Sequence, residues 1–312
     1  MLTHLIILLD DRSTPYCSYS PQGKRDSSLM PIDVLRQGIV WAMKQNLNIQ
    51  FVYPNYELPS EYNDAVLSID HTKIKPIGQA DEADIIVLDG WDDEVPDNAM
   101  CVIHSSRLEL ADHLSTIREW FGHVTRLNVV LTDVETFRDD EIGSYKDTLE
   151  SLADIMVEMY KTGRNVQLNL LTDRLMLTTM NNCNAGVNNV TLAPNGKFYL
   201  CPAFYYDDEQ QSVGDLSAGL DIRNQQLLRL DHAPICRVCD AYQCRRCIWM
   251  NERLTGDMNT PSHQQCVLAH VERNASRYLL LKLEKAGIRL ADSNPIEEQT
   301  ELDPFNIVNK WN

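Results

Sequence analysis

Residues 236–247 read CRVCDAYQCRRC, and this stretch decides how the rest of the sequence is interpreted. It holds four of the nine cysteines of a 312-residue chain. Two thiols separated by two residues can bind one ion from a single turn, and clustered cysteines in a reducing compartment are more often metal ligands than disulfides. The spacing therefore predicts a metal site built from seven cysteines: Cys183, Cys201, Cys236, Cys239, Cys244, Cys247 and Cys266.

The residue types leave the metal open, because four thiolates suit zinc and an iron–sulfur cluster equally well. Cys239, Cys244 and Cys247 reproduce the C-x4-C-x2-C run of plant-type ferredoxins, with Cys266 as a distant fourth ligand. Arginines at positions 237, 245 and 246 supply cations that favour the thiolate form. Seven cysteines would complete one four-thiolate site and leave a three-thiolate site with an open coordination position.

The chain before the cysteines reads as an α/β domain. Apolar runs predict strands at residues 4–11, 49–53, 83–88, 101–104, 127–131 and 166–171. Amphipathic spacing predicts helices over residues 31–46, 108–121 and 144–162, while residues 55–80, which contain Pro59 and Pro76, are expected to be irregular. About six βα units favour a mostly parallel sheet, either doubly wound or a partial (βα)6-type barrel.

A small cysteine-rich α+β domain is expected to follow. Residues 191–200 predict a hairpin that turns at Pro194-Asn195-Gly196. A short helix is expected over 222–230 and an amphipathic helix over 270–286. We therefore predict an α/β domain at residues 1–178, the cysteine-rich domain at 179–290 and an acidic tail at 291–312.

Charge and hydropathy limit the partners. A net charge of -17 argues against a nucleic-acid or anionic-membrane surface. The N-terminal LIILLDD is too short and too acidic for a signal peptide, and no apolar run reaches the ~20 residues that span a bilayer. A cytoplasmic protein is expected.

Cys183, twelve residues, Gly196, four residues and Cys201 resemble the opening of a SPASM domain, and the five later cysteines resemble its remainder. Two gaps, before Cys244 and before Cys247, are one residue shorter than in the family pattern. The resemblance covers about 90 residues and implies two 4Fe–4S clusters. It implies that Cys183, Cys201 and Cys247 bind the first cluster, which lacks a fourth ligand because position 177 is Leu177. The ligands implied for the second cluster are Cys236, Cys239, Cys244 and Cys266.

SPASM domains follow radical SAM domains, whose first strand leads into a Cys-x3-Cys-x2-Cys loop. The corresponding loop here, DDRSTPYCSYSPQGK, contains a single cysteine, Cys17, and the motif occurs nowhere in the chain. Three thiolates are needed to leave one iron free for SAM. Residues 1–178 therefore resemble a degenerate radical SAM domain, and SAM is not expected to bind.

LIILLDD, STPYCSY and NCNAGVNNVTLAPNGKFYLCPAFYY together resemble the CXXX-repeat peptide maturase family of bacteria. The resemblance implies an iron–sulfur accessory protein in the maturation of a ribosomally synthesised, post-translationally modified peptide with repeated cysteines. It implies two partners, the precursor peptide and a radical SAM enzyme, and it assigns no catalytic residue.

Two other interpretations stay open. The first is a zinc-stabilised peptide-binding scaffold with no redox role. The second is an enzyme that uses Cys17, since α/β proteins place ligands in loops that follow strands. Asp10 and Asp11, at the end of the first strand, could bind a cation or cap the next turn.

Overall fold

The computed structural model of the chain describes residues 2–19, 28–233, 235–244, 247–290, 293–298 and 301–303. Residues 20–27 of the loop after the first strand, Arg245, Arg246 and most of the expected acidic tail lie outside these ranges. The chain divides into two compact units, Met1–Asp89 with Asn184–Arg229, and Gly90–Cys183 with Leu230–Asn312. The division into functional domains at residue 178 stays a prediction.

Strands and helices alternate along most of the described chain. The strands are β1 (His4–Leu8), β2 (Asn48–Val52), β3 (His71–Pro76), β4 (Ile85–Val87), β5 (Met100–Ser105), β6 (Arg126–Leu131), β7 (Gln167–Leu168), β8 (Asn189–Leu192), β9 (Phe198–Tyr199), β10 (Gly214–Asp215) and β11 (Gly219–Leu220). The helices are α1 (Ile32–Gln45), α2 (Ser60–Leu67), α3 (Arg107–Asp112), α4 (Leu114–Trp120), α5 (Ile142–Lys161), α6 (Asn169–Thr172), α7 (Pro202–Asp207), α8 (Ile248–Thr255) and α9 (His263–Lys285).

The first unit is built on strands in the order β4-β3-β2-β1-β8-β9. All neighbours are parallel except β8 and β9, which form the predicted hairpin around Gly196 at φ +75°. Strand β1 is central and apolar on both faces, as parallel strands covered on both sides require. Helix α1 lies close to the sheet at Gly38, where an added Cβ would stand 2.4 Å from the side chain of Leu192.

The second unit has strands in the order β7-β6-β5, all parallel, and a pair of long helices, α5 and α9, that pack against each other. Leu149, Leu152 and Met156 of α5 are buried, and so are Leu279 and Leu283 of α9. This helix pair is the support for the cysteine-rich segment of the same unit.

Residues 55–80 were predicted to be irregular, and this prediction was wrong, because they contain α2 and β3. Pro59 stands just before α2 and Pro76 closes β3, so neither proline removes a hydrogen bond from the interior of an element. Tyr62 and Val66 of α2 are buried one turn apart, which is the spacing of an amphipathic helix. The prolines at both ends of the segment had favoured an irregular structure instead.

Four other elements differ from the prediction. The strand expected over 166–171 is only β7 and runs directly into α6, and the helix expected over 108–121 divides at His113 into α3 and α4. The helix expected over 222–230 consists of 3-10 turns. Helix α9 begins at His263 rather than near residue 270, because Ser262 and Gln265 form a capping box. Cys266 therefore lies inside the helix.

No helix in the described ranges is long and apolar enough to cross a membrane.

Candidate metal centre

Six of the seven predicted ligands lie in the second unit, and four of these stand in the segment 236–244 and on α9. Cys236 opens a 3-10 turn, Cys236–Val238, and the peptide N–H of Cys239 donates to the Cys236 carbonyl at 3.1 Å. Cys244 is held by its own N–H, which donates to the carbonyl of Asn181 at 3.2 Å. Cys266 lies in the first turn of α9. We call Cys236, Cys239, Cys244 and Cys266 the four-cysteine group.

The thiols of the four-cysteine group lie close enough to act on one another electrostatically. Burial raises the pKa of Cys266, and the thiols of Cys244, Cys236 and Cys239 raise it further, together with Asp303. Burial likewise raises the pKa of Cys239 to about 11, with Cys236 among the other causes. Several thiolates together in a buried place need a compensating cation, so this donor set fits a thiolate-bound metal.

A histidine that the sequence analysis missed stands beside the group. Nε2 of His270 lies 3.5 Å from Sγ of Cys239, and the His270 side chain is buried. Nδ1 of His270 is also buried and makes no hydrogen bond within the described residues. His270 follows Cys266 by four residues on α9, so both side chains face the same side of the helix. The Cys-x3-His spacing was the signal that could have found it.

Arg174, just beyond the end of α6, anchors the loop that carries the cysteines. It donates to the carbonyls of Ala241 and Gln243 in that loop, at 3.2 Å and 3.1 Å. It also pairs with Glu272 of α9 at 3.2 Å, and both side chains are almost fully buried. Further hydrogen bonds run from Arg174 to the carbonyl of Leu170, to Ser276 Oγ, and from Tyr145 Oη to Glu272. The loop is therefore fixed to two helices through one guanidinium group.

The remaining predicted ligands divide between the units. Burial first, and then the neighbouring Cys183 thiol, raise the pKa of Cys247, which precedes α8, to about 11. Cys183 and Cys247 are thus neighbours within the second unit, and Cys183 is exposed. Cys201 belongs to the first unit, where it precedes α7. The grouping of all three around one cluster stays a prediction.

Among the described residues, no group of three or more His, Cys, Asp or Glu side chains stands in a geometry that could hold a single metal ion. The seven-cysteine ligand set accordingly remains a prediction.

Aromatic side chains surround the loop that follows β1 in the first unit. The rings of Tyr19 and Tyr206 stack at 5.2 Å. Burial raises the pKa of Tyr19 well above its usual value, and the nearby Cys17 thiol is the next cause. Asp10 is buried, and its Oδ1 accepts a hydrogen bond from the N–H of Arg12 at 2.7 Å, as expected for a residue that caps the next turn. Asp11 accepts a hydrogen bond from the hydroxyl of Tyr205.

A cavity of about 330 Å³ lies at the carboxyl ends of β5 and β6 in the second unit. Arg107 in its wall donates to Asp133 at 2.9 Å and to Glu141 at 3.3 Å. Tyr145, which hydrogen-bonds to Glu272, also lines it. The charges in its wall are paired with one another, since Arg107 forms ion pairs with Asp133 and Glu141. Sequence analysis missed it because its walls come from separate segments.

Comparison with known proteins shows a likeness in fold. No protein-family model matches the sequence, and no curated protein matches it. A structure described as native anSMEcpe with bound AdoMet and Cp18Cys peptide is 11% identical, covers 99% of this chain and 100% of that chain, and has a TM-score of 0.53. SuiB of Streptococcus suis, bound to the precursor peptide SuiA, is 12% identical over 66% of this chain and 60% of that chain, with a TM-score of 0.38. The first likeness confirms the predicted fold, an α/β chain resembling a radical SAM domain.

Proposed function

We propose that the chain is an iron–sulfur accessory protein that acts with a radical SAM partner in the maturation of a ribosomally synthesised peptide. The four-cysteine group carries this proposal. Its thiols, of which Cys236 and Cys266 are buried, act on one another, and the loop after β1 contributes only Cys17. In the sequence, the proposed ligands are thus concentrated in the cysteine-rich segment and not in the loop after β1.

The four-cysteine group would hold one cluster, and Cys183, Cys201 and Cys247 would hold the second. Bound iron–sulfur clusters supply electron transfer or an open iron for a thiol. The protein's own contribution is positioning: Arg174 fixes the loop carbonyls, and α9 supplies Cys266 from a rigid helix. The boundary of the cysteine-rich domain at residues 179–290 belongs to this proposal.

AdoMet is bound by anSMEcpe, whose fold this chain shares. For this chain we propose that SAM does not bind, because the loop after β1 lacks the three cysteines that leave an iron site free. The partner enzyme would then generate the radical. Isothermal titration calorimetry of the purified protein with SAM tests whether SAM binds. A dissociation constant in the micromolar range would contradict the proposal.

A peptide partner is supported by the peptide bound to anSMEcpe and by the sequence resemblance to CXXX-repeat peptide maturases. We propose that the partner is a precursor peptide with repeated cysteines, handled in the cytoplasm. A synthetic peptide with a cysteine at every fourth position is expected to bind, and the same peptide with serines is expected to bind more weakly. Equal affinity for the two peptides would refute a role for the peptide thiols.

Iron and sulfide analysis with EPR, on protein purified without oxygen, tests the cluster assignment. Two clusters would give about eight irons per chain and one cluster about four. Cys236→Ala is expected to lose iron, whereas Cys101→Ala is expected to keep it. Cys101 is a matched control because it is equally buried but lies in β5, where burial alone raises its pKa to about 12. If the protein contains only zinc, the iron–sulfur function is refuted and the zinc-stabilised scaffold is favoured. If it contains no metal, both functions are refuted.

A further inference from the structure

The part of the acidic tail that the structure describes is bound to the second unit. We call residues 293–298 and 301–303 the C-terminal strap. Near its start, the N–H of Asn294 donates to the carbonyl of Leu175 at 2.8 Å. Further along, the carbonyl of Glu297 accepts a hydrogen bond from the guanidinium group of Arg273 on α9. The strap therefore runs beside the helix that also carries Cys266.

The strap lies next to the four-cysteine group. Arg273, which binds the middle of the strap, also forms an ion pair with Asp240, the residue that follows Cys239. Burial first, and then neighbouring groups that include Asp303, raise the pKa of Cys266. Asp303 is itself only 6% exposed. The strap and the cysteine loop thus share one arginine, and a carboxylate of the strap stands near a buried thiol of the group.

A single histidine side chain holds the end of the strap. Nδ1 of His263 lies 2.5 Å from Oδ2 of Asp303, and Nε2 of the same ring lies 2.7 Å from Oδ1 of Asp139. An ionised carboxylate only accepts hydrogen bonds, so both contacts are hydrogen bonds only when both ring nitrogens carry a proton. The ring that bridges the two carboxylates is therefore an imidazolium, and its deprotonation leaves a lone pair facing one of them.

Loss of this proton weakens the hold on the strap. The other carboxylates on the 3-10 turns 134–136 and 139–141 are paired with arginines: Glu135 with Arg253 at 3.4 Å, Asp140 with Arg138 at 3.2 Å and Glu141 with Arg107 at 3.3 Å. The hydrogen bond to Asp303, and next that to Asp139, raise the pKa of His263. The bridge is therefore complete below about pH 6.5 and is lost as the pH rises through the folded-state pKa. The buried Asp303 carboxylate is then poorly compensated, which favours its release into water.

We propose that the C-terminal strap is a pH-sensitive cover of the four-cysteine group, closed by the His263 imidazolium and released when the ring loses its proton. The closed strap limits the access of thiol-reactive solutes to these cysteines, and the released strap admits them. The proposal needs the cysteines only as thiols, so it does not depend on which metal the group binds.

Proteolysis of the unmutated full-length protein measures the release of the strap. Glu-C protease cuts after glutamate, and its rate at the bond between Glu301 and Leu302 follows the open fraction of the strap. A synthetic peptide of residues 293–303 is the reference, because its rate cancels the pH dependence of the protease. The ratio of the peptide rate to the protein rate should fall at least about tenfold from pH 6 to pH 9, the effect of losing one hydrogen bond between charged groups. A constant ratio overturns the proposal, whether or not any variant folds.

A variant separates the latch from a general effect of pH. At pH 6, His263→Gln should be cut at least about tenfold faster than the parent protein, and at pH 9 the two rates should agree. His123→Gln is the matched control, because His123 also bonds to a carboxylate, that of Asp97 at 2.7 Å, but both side chains are exposed on the surface. Equal acceleration by the two substitutions overturns the role of His263.

Alkylation tests whether the strap covers the cysteines. Iodoacetamide is applied at pH 6 to the chelator-treated full-length parent and His263→Gln proteins, and mass spectrometry measures the rate at each cysteine. Cys266 should react at least about tenfold faster in the variant, while Cys101, buried in β5, should react equally in both. An unchanged rate at Cys266, or an equal gain at Cys101, overturns the cover. Iron and sulfide content decide the proposed function separately, so either can fail without the other.

Discussion

Replacing Arg174 with methionine should destabilise the second unit strongly. The substitution keeps a long apolar side chain but removes the cation that pairs with Glu272, whose side chain is only 3% exposed. Breaking one partner of a buried ion pair costs about 3–5 kcal/mol, because the remaining charge stays buried without compensation. The carbonyls of Ala241 and Gln243 lose their donor at the same time. We therefore expect Arg174→Met to lower the free energy of unfolding by at least about 3 kcal/mol.

Urea denaturation of the metal-free protein, followed by far-ultraviolet circular dichroism, measures this loss. Arg118→Met is the matched control, because Arg118 pairs with Glu158 on the surface, where both side chains are about half exposed and such a pair contributes at most about 1 kcal/mol. Combining Arg174→Met with Glu272→Gln should recover part of the loss, since no uncompensated charge remains. If Arg174→Met costs no more than Arg118→Met, or if the double variant is fully additive, the reasoning from buried charge is refuted.

Three further outcomes are expected. The hydrogen bond to Asp303, and next that to Asp139, raise the pKa of His263. The protonated side chain therefore stabilises the folded protein fully below about pH 6.5, and this contribution is lost as the pH rises through the folded-state pKa. His263→Gln should therefore lower the melting temperature more at pH 6 than at pH 9, and an equal loss at both values would contradict the assignment. Gly186→Ala should lower the free energy of unfolding, measured by chemical denaturation, by about 2 kcal/mol more than Gly219→Ala. Both glycines have a positive φ, but only at Gly186 would the added Cβ meet side chains, those of Leu228 at 2.5 Å and Leu200 at 2.8 Å. Cys17→Ala should leave the melting temperature and the metal content of the protein unchanged, and metal loss would assign Cys17 to the site.

The elements that the sequence predicts well are those whose signal is local. Strands β1 and β2 are short apolar runs bounded by polar residues, and the hairpin of β8 and β9 is specified by Asn195-Gly196. Helix α5 was placed within two residues, because its apolar spacing continues for five turns. In each of these cases one segment contains all the information that its structure requires.

Elements with mixed local signals were missed. Strand β3 reads HTKIKP, with Ile74 as its only fully apolar interior residue, and it forms because it pairs with β2 and β4. A charged side chain of β3 contacts a residue next to the neighbouring strand: Nζ of Lys75 lies 5.1 Å from the ring centre of Tyr53, which follows β2. Pairing of this kind depends on the whole sheet, so a window of six residues cannot reveal it.

The sequence predicts the cysteines of the candidate site but not the residues that surround and hold them, and the start of α9 explains part of the difference. A helix that begins near residue 270 leaves Cys266 in a loop, and the Cys-x3-His spacing then has no geometric meaning. The capping box of Ser262 and Gln265 was readable in the sequence, and it moves the start to His263. Cys266 and His270 then share one face of the helix. The position of His270 beside the cysteines is therefore encoded in a local sequence signal. Arg174 differs, because all of its acceptors except the Leu170 carbonyl lie 67 to 102 residues away in sequence, and no spacing rule connects them. Only the folded chain shows that hydrogen bonds from Arg174 hold the cysteine loop, so this loop should depend less on metal for its order than a zinc finger that is unfolded without its ion.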